Sequence, residues 1–320
     1  MPRIVSMGDV DVDMLVLVDP YPRPGEESFA DEATIGLGGS AANTAVVLAG
    51  LGFDVGVMAQ IGRDEFGARA ARLLEEAGVD TDLIVATDAD VTGMNLVLVD
   101  AAGERTMIGL RGANPGHEGS PGWERSCEWL HLSAYALLEE PQRHAARQAL
   151  ALARARSIPV SIDVPSGVAS ALGGELLHDL EGSSLVAVGA GALSSLVPRS
   201  AAEGLLDLGI ETVAVTDGGK PFSLHRRDRV LTLTPPRLEV VDATGAGDSF
   251  VAGLIAGQLW GADIGTAAVL AGCLGAAATQ RKGAGTSLAE DEIVAGLLAD
   301  EPWPDAEPQW FQRARRLMVR

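Results

Sequence analysis

The chain has 320 residues, a formal charge of −20, 47% apolar residues and only 4% aromatic ones. That length suits one large α/β unit, and the scarcity of aromatic rings leaves the core to closely packed Ala, Val, Leu and Ile. So acidic a chain, with no basic run, argues against nucleic-acid and membrane-surface partners, and an anionic ligand would need positive potential supplied locally.

The opening "MPRIVSMGDVDVD" has one early Arg followed by acids and lacks the apolar core of a signal peptide, so a cytoplasmic location is expected. A first strand falls at "RIVSMG". Residues 14–35 read as strands joined by turns, followed by a helix over 41–51, the strand "VGVMAQIG" and a helix over 66–77. Residues 91–110 again read as two strands around an "AAG" turn. Strands at "WLHLSAY", "IPVSIDV", "SSLVAVG" and "ETVAVTDG" then alternate with helices over 142–156 and 200–208. This alternation predicts a mainly parallel sheet with helices on both faces, and the two helix-free pairs predict a small antiparallel β lid over a ligand cleft.

Two Ala/Gly-rich helices follow, one from Asp248 and one over 263–279, whose small residues would let them approach closely; neither reaches the roughly 20 apolar residues of a membrane span. The stretch 301–320, which mixes prolines, tryptophans and a basic end, reads as a surface appendage to a domain over 1–300. Cys127 and Cys273 stand far apart and read as reduced core thiols. His117, His131, His144, His178 and His225 show no metal-ligand spacing.

The stretch "DATGAGDSF" at 242–250 carries the chemistry. Gly245, Ala246 and Gly247 allow a sharp turn with little side-chain bulk, so that several N–H groups converge at the start of the next helix, where the peptide dipoles favour an anion. Asp248 there is either a helix cap or a group with a task beside the anion. A carboxylate next to a phosphate site can accept the proton of an attacking hydroxyl while the amides stabilise the transferring phosphoryl group.

Earlier in the chain, "GLGGSAANTAVVLAGLG" offers Gly38 and Gly39 for close backbone approach and Asn43 for hydrogen bonds to hydroxyls. Asp13, placed at the end of the first strand, can accept two hydroxyl protons. Asn95 interrupts an apolar lid strand and Arg111 follows the next. "GLGGSA" fits a loose dinucleotide fingerprint, but "FADEATI" before it is a poor buried strand and Asp54 precedes the next strand instead of ending it, which excludes a dehydrogenase. "GGKPF" has Pro where a phosphate-binding loop needs Ser or Thr.

Together, "DATGAGDSF" and "GLGGSAANTAVVLAGLG", with "GDVDVD", "IGRDEFG" and "GAGTS" in order, closely resemble the signatures of the PfkB, or ribokinase-like, family of carbohydrate kinases. The resemblance implies a three-layer α/β/α sandwich and an ATP- and Mg2+-dependent kinase acting on a hydroxymethyl group of a sugar or sugar-like molecule. It makes Asp248 the catalytic base and the amides of Gly245, Ala246 and Gly247 the anion hole. It assigns Asp13, Gly38, Gly39, Asn43, Asn95 and Arg111 to the acceptor, and Thr216, Gly218, Thr244, Gly245 and Gly247 to the nucleotide. A monovalent cation such as K+ would sit on the backbone of Asp242 and Thr244, the adenine would be met around 272–286, and the lid would pair two subunits into a homodimer. Departures are Gly189 and Ala192 where many members carry Asn and Glu around magnesium, Pro221 for a glycine, and Ser40 and Ala41 where ribokinases usually have Lys and Gly. A nucleoside kinase of the same family and a catalytically impaired sugar-binding protein are the alternatives.

Overall fold

The computed structural model describes residues 3–19, 21–25, 27–30, 32–100, 105–197, 201–283, 291–299 and 303–319. Its strands in chain order are β1 (Arg3–Met7), β2 (Asp11–Leu17), β3 (Glu32–Gly38), β4 (Asp54–Gly62), β5 (Ile84–Thr87), β6 (Gly93–Val99) and β7 (Arg105–Leu110). They continue with β8 (Cys127–Ser133), β9 (Val160–Val164), β10 (Leu185–Gly189), β11 (Thr212–Thr216), β12 (Phe222–Arg226) and β13 (Arg229–Leu233). Nine of them form one sheet in the order β13-β12-β11-β10-β9-β8-β1-β4-β5. All its pairings are parallel except the two made by the β12–β13 hairpin, an edge extension with no counterpart among the strands expected from sequence.

Because side chains alternate along a strand, the near-continuous apolar runs feed two cores. Ile4, Leu185 and Ala187 face the layer made by the helices Ser40–Gly50, Ala246–Leu259 and Ile264–Ala278. Val5, Met7, Val186 and Val188 face the layer that contains the helices Gln142–Ala155, Ser166–Leu172 and Ala190–Leu196. The result is the three-layer α/β/α sandwich.

The helices Ala246–Leu259 and Ile264–Ala278 touch almost backbone to backbone, as their composition suggests. A Cβ on Gly253 would stand 2.5 Å from Ala271 Cα, and one on Gly257 would stand 2.7 Å from Ala267 Cβ. Cys127 and Cys273 are buried and not joined in a disulfide. His117 and His131 are also buried, and burial pushes their pKa values down to about 4 and about 3, so both are neutral core side chains.

The lid is a four-stranded sheet in the order β3-β2-β6-β7. Its outer pairs, β2 with β3 and β6 with β7, are antiparallel, whereas the central pair, β2 with β6, is parallel. The expected "AAG" turn at 101–103 lies outside the described residues. The lid begins earlier than expected: the chain leaves the main sheet at Gly8, so Asp13 sits within β2 and not at the end of the first strand.

Residues 303–319 do not form a separate surface appendage. Trp303, Phe311 and Ala314 are buried in the main core, and Trp303 packs edge-on against both Phe222 and Phe311, with ring centroids 6.3 and 5.4 Å apart. Two of its large rings seat on glycines of the helix Ile264–Ala278, Trp303 on Gly272 and Trp310 on Gly265. A Cβ on Gly265 would lie 2.6 Å from Trp310 Cζ2.

Candidate active site

The helix Ala246–Leu259 starts from Gly245, whose φ of 75° is a left-handed conformation that favours glycine. No side chain caps this helix. The N–H groups of Gly245 and Gly247 have no acceptor among the described residues, and that of Ala246 makes one long bond, 3.3 Å, to the carbonyl oxygen of Ala243. Donors therefore converge at a helix N-terminus, the local arrangement that attracts an anion. Asp242 stiffens the turn from behind, because its carboxylate accepts from Thr244 N–H and Thr244 Oγ1 at 2.9 and 2.7 Å and from Gly283 N–H at 2.8 Å.

Asp248 does not cap its helix. Its carboxylate reaches across to the start of the helix Ser40–Gly50, where Ser40 Oγ donates to Oδ1 at 2.7 Å and Asn43 Nδ2 donates to Oδ2 at 2.8 Å. Gly39 makes this crossing possible. Its φ is 91°, and a Cβ there would stand 2.9 Å from the carbonyl carbon of Asp9 and 3.0 Å from Asp11 N. A Cβ on Gly38 would lie 2.7 Å from Asp13 Oδ2, so this glycine leaves room for that carboxylate.

Asp248 lines a cavity of about 370 Å³ under the lid, together with Asp9, Asp11, Asp13, Asn43, Asn95, Arg111 and Asp163. Asn95 Nδ2 holds two of these carboxylates, donating to Asp13 Oδ1 at 2.8 Å and to Asp11 Oδ2 at 3.2 Å. Arg111 is a brace across the base of the lid. Its Nε and Nη2 grip Asp9 at 2.9 and 2.8 Å, Nη1 donates to Glu139 at 2.9 Å, and Nη2 also reaches Gln142 Oε1 at 2.7 Å and the carbonyl of Tyr135 at 3.0 Å.

A second cavity, of about 570 Å³, opens on the other side of the same helix start. Ala246 and Gly247 line it, with Thr216 and Gly218 at the end of β11, the segment Pro235–Val240, Phe222, Phe250 and the glycine face of the helix Ile264–Ala278. Two cavities thus meet at one helix N-terminus, with a carboxylate on one side and open amides between.

The pfkB family carbohydrate kinase model matches residues 1–291. The chain belongs to the PfkB family of carbohydrate kinases. An ATP-dependent ribose-1-phosphate kinase from Halopiger xanaduensis is 31% identical over 302 residues, covering 93% of this chain and 98% of that relative. Among solved structures, a putative ribokinase II from E. coli in complex with ATP and Mg2+ superposes with a TM-score of 0.80 at 22% identity, covering 93% of this chain and 99% of the other. A nucleoside kinase of the ribokinase family from Methanocaldococcus jannaschii superposes at 0.78 with 21% identity, over 93% and 98%. No helix among the described residues is long and apolar enough to cross a membrane.

Within this PfkB framework the structure gathers Asp13, Gly39, Asn43, Asn95, Arg111, Thr244, Gly245 and Asp248 around the smaller cavity, and Thr216, Gly218, Ala246 and Gly247 around the larger. Gly38 supports the smaller one from behind Asp13. Of the stretch 272–286, Gly272, Gly275, Ala276 and Thr279 line the larger cavity, while residues 284–286 lie outside the described residues. Gly189 ends β10 and Ala192 is buried, so neither position brings a carboxylate. Among the described residues no group of three His, Cys, Asp or Glu is placed to hold a metal.

Asp11, Asp163 and Ser40 join the site without a motif role. The signal for Asp11 was its i, i+2 spacing to Asp13 in "GDVDVD", which in a strand puts both on one face. Burial, reinforced by Asp9 and Asp13, pushes the Asp11 carboxyl up to about 8, against the hydrogen bonds from Asn114 and Asn95. Burial and Asp248 push Asp163 up to about 8 as well. Both are therefore pushed toward the neutral form.

This has a consequence for stability. An unfolded Asp11 titrates near 3.8 and the folded one near 8, so between these values only the native state keeps the proton. The contribution is fully present below 3.8 and is lost as pH rises through about 8. Between about 6.5 and 8, above the range in which the buried His117 and His131 oppose the effect, thermal melts should fall with rising pH, and Asp11→Asn should flatten the fall and stabilise the protein at the alkaline end. An equally steep decline in the variant would refute this.

Proposed function

We propose that the protein transfers the terminal phosphoryl group of Mg–ATP to a hydroxymethyl group of a sugar or sugar-like acceptor. The observation that carries this reading is the placing of Asp248 where the two cavities meet at the start of the helix Ala246–Leu259. The larger cavity takes the nucleotide, as the ATP complex of the similar fold suggests, and the smaller takes the acceptor under the lid. Magnesium, carried by the nucleotide, would neutralise part of the phosphate charge facing the amides of Gly245 and Gly247.

Asp13, Asn43 and Asn95 orient the acceptor's hydroxyls beside the carboxyl groups of Asp11 and Asp163. The reacting hydroxyl approaches Asp248, displacing a donor that holds it in the free protein. As the oxygen forms its bond to phosphorus, the proton passes to the Asp248 carboxylate and the bond to the leaving ADP oxygen breaks. The amides of Gly245 and Gly247 face the charge on the phosphoryl oxygens, with Ala246 joining when its long bond to Ala243 yields.

The reading extends to a monovalent cation on the backbone oxygens of Asp242 and Thr244, a turn that Asp242 already stiffens. It also extends to a homodimer through the lid, whose outward face carries the exposed Ile35 and Ile108 in register with Met14 and Leu96.

Release of ADP from Mg–ATP over a panel of pentoses, hexoses, sugar acids, ribose 1-phosphate and nucleosides tests the assignment, run in potassium and in choline chloride. Turnover of a sugar is expected, faster in potassium. Preference for a nucleoside would shift the assignment to a nucleoside kinase, and binding without ADP across the panel would leave a sugar-binding protein. Equal rates in both salts would remove the cation, and sedimentation as a monomer would remove the dimer.

A further inference from the structure

The family match ends at residue 291, yet the chain continues and buries Trp303 directly behind the larger cavity. The indole stands edge-on to Phe222, which in turn meets Phe250 edge-on at a centroid distance of 5.0 Å. Phe222 and Phe250 both line the cavity. Beside this contact the indole fills the space over Gly272, a third lining residue, where a Cβ would lie 2.9 Å from Trp303 Cζ3 and 3.2 Å from Phe222 Cε1. Two residues further on, Asp305 accepts from Thr234 Oγ1 at 2.8 Å, tying the same segment to the start of the cavity's Pro235–Pro236 lip.

We infer that this C-terminal extension is part of the nucleotide site, with Trp303 as a positioning residue that sets the Phe222 wall and the width of the groove over Gly272. The inference rests on the reading that the larger cavity holds the nucleotide. Trp303 touches no ligand itself. It acts because close-packed rings have few alternative arrangements, so the wall it backs keeps one shape. The helix Pro308–Met318 holds the indole in place through Phe311 and lies along the helix Ile264–Ala278, with Trp310 seated on Gly265 seven positions before Gly272.

The test compares Trp303→Ala, Trp303→Phe and Trp310→Ala. Trp303→Ala should raise the KM for Mg–ATP and the Kd for ADP about three- to tenfold, the range of an edge-on aromatic pair, with the acceptor KM within about twofold. Trp303→Phe, which keeps a ring edge toward Phe222, should recover most of this and serves as the folded reference if the alanine variant does not fold. Trp310→Ala should lower the melting temperature without moving either nucleotide constant. Unchanged nucleotide constants in Trp303→Ala, or equal rises in both KM values, would overturn the inference, as would a nucleotide defect of the same size in Trp310→Ala. Photolabelling of the wild type with 8-azido-ADP separates the two levels. Label in peptides carrying residues 235–250 or 272–279 supports the nucleotide reading, whereas label elsewhere sinks that reading and this inference with it.

Discussion

Asp248→Asn is expected to fold normally and to lose activity by about 10²–10⁴-fold in kcat, the usual worth of a general base. The substitution is nearly isosteric and keeps an oxygen able to accept from Ser40 or Asn43, which hold the carboxylate at 2.7 and 2.8 Å in the native protein. What it removes is the basic oxygen that takes the hydroxyl proton. The KM for Mg–ATP should stay close to that of the wild type, because the nucleotide is held from the other cavity. Steady-state kinetics with the preferred acceptor, alongside a melting curve, checks both halves. Activity within a few-fold of wild type would strip Asp248 of its role and leave the helix start as an anion site only.

Gly39→Ala should be the most damaging small substitution near the site. At a φ of 91° a side chain is strained, by roughly 1–3 kcal/mol, and the new Cβ meets the backbone of Asp9 and Asp11, which has no rotamer with which to yield. The junction must therefore shift, and with it the helix start that carries Ser40 and Asn43. The expected result is a melting temperature lower by several degrees together with a raised KM for the acceptor, read by thermal denaturation and kinetics on the same preparation. A variant with native stability and native KM would show that the close approach is not needed.

The contrast between these residues and the ones that sequence patterns leave silent has a physical basis. Gly245, Gly247 and Asp248 belong to one turn and one helix start, and a glycine-rich turn entering a helix converges its amides through local backbone geometry alone. The layer order was legible for a related reason, since runs such as "LVAVG" and "TVAVT" suit only strands buried on both faces. The β12–β13 hairpin and the packed C-terminal segment were not, because the alternation in "FSLHR" and the helical spacing of Phe311, Ala314 and Leu317 mark an apolar face without saying what covers it. Arg111 shows the same limit. The resemblance assigned it to the acceptor, and the fold places it on the smaller cavity while bracing it on Asp9 and Glu139, a pairing no motif announced.

Local chemistry along the chain therefore decided the family signatures, the alternation of strands and helices, and the anion-binding turn, since each is carried by a short stretch of neighbouring residues. Tertiary structure alone decided that Ser40 and Asp248, separated by 208 positions, share a hydrogen bond. It alone buried Asp11 and Asp163 beside other carboxyl groups, which pushes their pKa values up, and seated Trp303 over Gly272. Such meetings depend on where whole layers come to rest, which no short stretch of sequence encodes.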